Sequence, residues 1–282
     1  MSDSLLDAAV PHHVHEPVAV SRRSPLSLPW MAGGLLILFL ILPVVALIWK
    51  AGGSAGFWSA LRQPLVLDAL QLTAVTSAIS LVFALLLGTP LAWVMAKRDF
   101  PGRQVVEIFI DLPLVLPPVV AGVALLMAFG REGLLGHELN VLGITLPFST
   151  AAVVMAQLFV AVPFYVRGAL LGFRLVPTDI EEAASIDGAS GWATFRHITL
   201  PLALPGIVSG AILCWARAVS EFGATLMFAG NISGRTQTMP LAIMTAMETN
   251  LNSALALAVL LVVAAALVLI VSRLFTAERL ER

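Results

Sequence analysis

Arg217 and Glu221 stand four residues apart in an apolar run of this 282-residue chain. That spacing puts both on one helical face. Ionisable groups in such a run are costly unless they pair or face a cavity. Two readings stay open: a self-neutralising pair beside a water-filled cavity, or a pair lining an anion route in which Arg217 supplies weak attraction. Prolines mark a second region. The stretch "DLPLVLPPVVAG" (111–122) carries Pro113, Pro117 and Pro118. Each removes a ladder hydrogen bond and tends to kink a helix. Proline is also simply more frequent in spanning helices, so Pro117 and Pro118 are candidate path-lining residues on density alone. Gln157, in another apolar run, reads as an interhelical hydrogen-bonder. Asp111 reads as an interfacial charge at the end of its run.

A third stretch, "EEAASIDGASGWATFRHITLP" (181–201), is acidic where its flanks are greasy. Thr178 followed by Glu181 has capping-box spacing. Asp179, Glu181 and Glu182 suit the positive end of a helix dipole. Ala183 and Ala184 favour helix, and Gly188 stops it. A helix of about nine residues is only about 14 Å long and cannot cross a bilayer. A second short helix is expected over Ser190–Ile198, with Trp192, Phe195 and Ile198 on one face. Helices that lie on lipid carry Lys and Arg on the polar face, and the inner leaflet is anionic. The first helix carries Asp179, Glu181, Glu182 and Asp187 and no base. Charge therefore favours a docking element for a partner, a helix in a groove, over an interfacial one.

Other chemistries find no residues. A P-loop needs a lysine followed by Ser or Thr after its glycines, but Lys50 precedes Ala51, Lys97 precedes Arg98, and there are no further lysines. If ATP drives a process here, its hydrolysis and Mg²⁺ belong on another polypeptide, and no cofactor is expected on this one. A secondary transporter, the rival class, would carry ionisable residues at mid-membrane for ion coupling. The single cysteine, Cys214, precludes an intrachain disulfide and reads as a small buried hydrophobe. Three histidines, His12, His13 and His15, sit in a Pro- and Ser-containing stretch without periodicity, read as a flexible tail over 1–28 rather than a metal site.

The elements that must position these residues follow from composition. The chain is 59% hydrophobic and 12% charged, with mean hydropathy +0.95. Soluble domains are about 45–50% apolar and about 25% charged. Net charge is −1, which points to no nucleic acid. Six runs approach the roughly 20 apolar residues a spanning helix needs: Pro29–Trp49, Asp68–Ala96, Ile108–Phe129, Ser149–Phe173, Leu200–Met227 and Ser253–Leu274. The first is too long for a signal-peptide core, although "AGGSAG" after it could pass for a cleavage site. Backbone groups in lipid must be satisfied internally, so the expected fold is an all-α membrane protein of six transmembrane helices. With the N-terminus inside, Arg22, Arg23, Lys97, Arg98, Arg103, Arg167, Arg174, Arg196, Arg273, Arg279 and Arg282 fall inside. Lys50, Arg62, Arg131 and Arg235 fall outside. The asymmetry places both termini and the acidic segment in the cytoplasm.

Glu182-Ala183-Ala184, Gly188, Ile198 and Leu200-Pro201 together resemble the "EAA…G…I-LP" signature of permease subunits of binding-protein-dependent ABC importers. Residues 112–136 and 216–243, and most of 65–275, resemble the molybdate permease family. Sulfate/thiosulfate permeases are similar, but their third-span segment usually lacks the "LPLVLPP" form. The resemblance implies a type I importer permease domain over 29–282, whose loop 177–199 forms coupling helices seated on a cytoplasmic ATPase subunit. It implies a homodimer in the bacterial inner membrane, with the route lined by the third and fifth spans. It implies an extracytoplasmic binding protein that delivers molybdate or tungstate. Glu181 is an extra acid relative to the signature, and the long His-containing tail is unusual.

Overall fold

The structure, a computed structural model, describes residues 28–280, with side chains described over 30–270. The histidines of the tail, Arg22, Arg23 and Arg282 lie outside the described residues. Among the described residues, those up to Val45 and those from Ala46 onward fall into two separate units. All regular structure among the described residues is helical. The helices are α1 (Leu28–Gly52), α2 (Phe57–Ala60), α3 (Pro64–Lys97), α4 (Arg103–Val115), α5 (Pro118–Phe129), α6 (Gly136–Val141), α7 (Thr150–Arg174), α8 (Thr178–Ile186) and α9 (Gly191–Thr194). A π turn, Phe195–Thr199, leads into α10 (Leu200–Val219), which α11 (Gly223–Ala229), α12 (Met239–Thr249) and α13 (Leu251–Leu280) follow.

Five of the helical stretches are long and apolar enough to cross a membrane: Trp30–Gly52, Pro64–Lys97, Thr150–Arg174, Gly191–Val219 and Leu251–Ile270. The run expected to be the third span, Ile108–Phe129, is instead divided between α4 and α5. The cause is local. A residue before proline is pushed out of the helical region. Here Leu116 precedes Pro117 and Pro117 precedes Pro118, so both adopt extended backbone, with ψ 132° and 134°. Single prolines within helices, such as Pro90 and Pro163, leave α3 and α7 continuous.

The fifth expected run, Leu200–Met227, is divided as well. α10 stops at Val219 and the chain resumes helix at Gly223. α12 was not expected from the sequence; it packs on α13 and α3.

α7 is the centre of the second unit. Its most apolar window is 61% buried, against at most 28% for the other spans of that unit, and it packs on both α10 and α3. The α7–α10 contact is a glycine seam. A Cβ on Gly168 would lie 2.5 Å from Gly210 Cα, and one on Gly206 would lie 2.5 Å from Gly172 Cα. Only glycine lets backbones approach this closely, and helix association between spanning segments relies on such packing.

Hydrogen bonds tie α3 to the same block. Trp215 Nε1 donates to Ser77 Oγ (3.0 Å), and Ser80 Oγ donates to Val154 O (3.1 Å) and Gln157 Oε1 (3.3 Å). Gln157 thus bridges two helices, and Cys214 is buried in the core beside Ala218 and Tyr165.

Arg167, counted on the cytoplasmic side, lies within α7 as the run Ser149–Phe173 implies. It forms a two-point ion pair with Asp111 of α4, its Nε donating to Oδ1 at 2.7 Å. Asp111 is therefore a tether between helices rather than a lone interfacial charge. Two turns further along α7, Arg174 approaches Glu107 at 3.5 Å, so two ion pairs fasten α4 to α7.

Candidate functional site: a docking segment and a pair of broken helices

The acidic segment is built from local signals. α8 covers Thr178–Ile186 and ends in a Schellman motif. Gly188 takes φ +88°, Gly188 N–H donates to Ser185 O (3.1 Å), and Ala189 N–H donates to Ala184 O (2.9 Å). The left-handed conformation makes glycine the fitting residue there.

The expected capping box does not form. Pro177 occupies the cap position, with no side-chain hydrogen bond. Glu181 reaches elsewhere: Lys97 Nζ donates to its Oε2 at 2.6 Å, and Thr199 Oγ1 donates to its Oε1 at 2.5 Å. A charge-assisted bond to an ammonium outcompetes a bond to a neighbouring backbone amide.

The second short helix is also different from its expectation. Ser190 caps it, accepting from Ala193 N–H at 3.3 Å. It does not end at Ile198, but passes through the π turn directly into α10. Pro201 lacks an N–H and crowds the carbonyl four residues back. The wider turn, closed by Leu200 N–H donating to Phe195 O, absorbs that defect.

The docking residues inferred from the sequence therefore fall into two groups. Glu182, Ala183 and Gly188 are exposed on α8 and its cap, with Ala184 half-buried beneath them. Ile198 and Leu200 are half-buried at the π-turn junction, and Pro201 lies exposed in the first turn of α10. Of the expected shared face of Trp192, Phe195 and Ile198, Trp192 and Phe195 do meet, stacked at 5.6 Å. Phe195 turns inward against Trp93 and Phe173, while Trp192 stacks on it from outside. Sequence reasoning missed Ile186, the last residue of α8, whose side chain is 86% exposed. An isoleucine so exposed beside four acids was a legible signal.

The path candidates come together at the two helix breaks. A Cβ on Gly223 would lie 2.9 Å from Pro118 Cβ, and one on Gly122 would lie 2.7 Å from Ala224 O. The half-helices α5 and α11 thus lie against each other, with the breaks side by side. Glu221 sits in the second break. Its Oε1 accepts from Ala224 N–H at 2.8 Å and so caps α11, and its Oε2 lies 2.7 Å from Arg217 Nη2. Glu221 is fully buried, while the Arg217 side chain is about a quarter exposed (24%). The two charges neutralise each other, and what exposure the pair retains belongs to Arg217. Thr225, also buried, has a hydroxyl without a protein partner. Discontinuous helices whose ends meet are a recurrent way to build a substrate path through a membrane.

The family model described as "Binding-protein-dependent transport system inner membrane component" matches residues 88–281. The chain belongs to that family. This inner membrane transport component is 44% identical over 259 residues to the molybdenum transport system permease protein ModB of Mycobacterium tuberculosis, covering 91% of this chain and 95% of the relative. It is 41% identical over 183 residues to ModB of Escherichia coli K12, covering 64% and 80%. It is 33% identical over 233 residues to a "Probable sulfate transport system permease protein cysT" of Chlorokybus atmophyticus, covering 82% of each. Among solved structures, a bacterial ABC transporter that imports alginate matches with TM-score 0.67 at 17% identity, over 87% of this chain and 94% of that one. The MetNI methionine ABC transporter matches at 0.56 and 18% identity, over 80% and 98%. These likenesses establish the transport-component fold and a multi-pass protein of the inner membrane.

Proposed function

We propose that this transport component is the translocating subunit of an ATP-driven importer of molybdate, with tungstate accepted by the same route. The observation that carries the reading is the 44% identity to a molybdenum transport permease across nearly the full length of both chains. The 33% match to a sulfate permease is more distant. Selectivity resides in a separate extracytoplasmic binding protein, because a route that holds its substrate tightly cannot release it.

Two copies of the chain form the route between them, with α4–α5 and α10–α11 of each copy at the lining. Each copy presents α8 to a cytoplasmic ATPase subunit that supplies ATP and Mg²⁺ chemistry. Glu182, Ala183 and Gly188 form the docking face, with Ile186 as its apolar anchor, while Ile198, Leu200 and Pro201 join that face to α10. Closure of the ATPase pair around ATP draws the two α8 helices together and opens the route outward. Hydrolysis returns it inward. The ATPase pair's different affinity for the two states supplies the work.

The test is uptake into proteoliposomes holding this chain with its ATPase and binding protein. Molybdate and tungstate should accumulate only with ATP, and sulfate should not compete. Uptake that runs without the ATPase, or that prefers sulfate, overturns the proposal.

A further inference from the structure

Of the four acids in the docking segment, Asp179, Glu182 and Asp187 are exposed. Glu181 is not: its side chain is 18% exposed, and it joins three elements at once. Lys97, which bonds one carboxylate oxygen, is the last residue of α3. Thr199, which bonds the other, closes the π turn at the foot of α10 and is 1% exposed. Lys97 Nζ donates in addition to Val176 O at 3.2 Å, in the link between α7 and α8. Aromatic rings lock the far side of the same joint. Phe195 packs edge-on to Trp93 of α3, with ring centres 5.6 Å apart. Between the polar and aromatic contacts lies a cavity of about 320 Å³, lined in part by Trp93, Lys97, Glu181, Phe195 and Thr199.

α8 buries no residue of its own. Besides its chain connections and its packing on α9 and the π turn, α8 is tied to the end of α3 through this carboxylate. A partly wet ion pair adds little to global stability, so the arrangement is better suited to fixing a position than to holding the fold.

We infer that Glu181, held by Lys97 and Thr199, is a positioning brace that makes the docking helix move as one body with the end of α3 and the start of α10. The brace rests on the docking role proposed above for α8. It acts through Glu182 and its neighbours and does not itself meet the ATPase. Without it, α8 swings on its connections, and ATPase closure moves the helix without moving the spans.

The experiment uses the complete transporter in proteoliposomes and reads two quantities: molybdate taken up per ATP hydrolysed, and copurification of the ATPase. Glu181→Ala and Lys97→Met should each lower the uptake-to-hydrolysis ratio by about tenfold, toward the lower end of the range for coupling between sites. The ATPase should copurify as with the unaltered chain. The double variant should fall no further than the worse single one, because both changes break the same contact. Lys97→Arg should keep at least half of the ratio. Should Glu181→Ala fail to accumulate in the membrane, Glu181→Gln keeps its shape and carries the same test.

A ratio that stays unchanged, or single effects that multiply in the double variant, overturns the brace. Loss of copurification places Glu181 on the docking face and also overturns it. Failure of the unaltered chain to copurify with the ATPase strikes the docking role instead, so the two failures are told apart.

Discussion

The docking segment and the paired helix breaks solve opposite problems with the same residue types. α8 is short, acidic and exposed, and of the four acids on it and its cap all but Glu181 face water. Its charge is free to meet a partner. At the breaks, Glu221 is fully buried, and its charge is consumed by Arg217 and the α11 amide. The lesson is that a carboxylate's role follows from what surrounds it. In water it is a recognition group of small energetic weight. Enclosed, it is a structural commitment whose partner cannot be removed cheaply.

That contrast is broken most forcefully at Glu221. Glu221→Ala should cost about 3–5 kcal/mol, because it strands Arg217 and uncaps α11. Loss of folded protein on heating in detergent is the measurement. Arg217→Gln/Glu221→Gln, which removes both charges, should recover much of that loss. If the double variant also transports molybdate at the unaltered rate, the pair is structural and Arg217 plays no part in the route.

Next in size is Glu182→Lys with Gly188→Asp. It reverses a docking charge and forces a side chain onto φ +88°, at a local cost of about 1–2 kcal/mol. Membrane insertion and dimerisation should persist, while copurification with the ATPase falls by at least about tenfold, the equivalent of 1.4 kcal/mol. Undiminished association and transport would remove α8 from the interface.

Pro117→Ala/Pro118→Ala should let α4 run into α5 and lower molybdate uptake by about tenfold, near 1.4 kcal/mol on the barrier, with assembly intact. Unaltered uptake would show that the break is a packing solution alone. The smallest expected effect is at Thr178. A working capping box would make Thr178→Ala cost about 1 kcal/mol. Because Pro177 holds the cap position, the melting curve should move by less than about 0.5 kcal/mol, the usual range for a surface change.

These cases also show what the sequence made legible. α8 and its stop at Gly188 were readable because their causes lie within ten residues. So was the weak point at Leu116–Pro118, although the residues announce only a kink and not a full break. The division after Val219 was not readable as such. It depends on Gly223 meeting Pro118 from another helix. Glu181 looked like a cap because its true partner, Lys97, lies 84 residues away. Arg167 looked like a mere contribution to the inside charge because its partner Asp111 sits on a different helix. The glycines of the α7–α10 seam are evenly spaced in each helix, yet nothing in the string says which two helices they join.

The seam bears on how a push travels. The docking segment hangs between the end of α7 and the start of α10, the two helices whose backbones lie in direct contact at Gly168, Gly172, Gly206 and Gly210. A displacement applied at α8 would therefore reach two helices that touch backbone to backbone at these four positions and are packed by a shared core. Beyond the seam the chain leaves helical geometry at two places, the extended Leu116–Pro117 link and the non-helical turn at 220–222, and there the half-helices α5 and α11 begin.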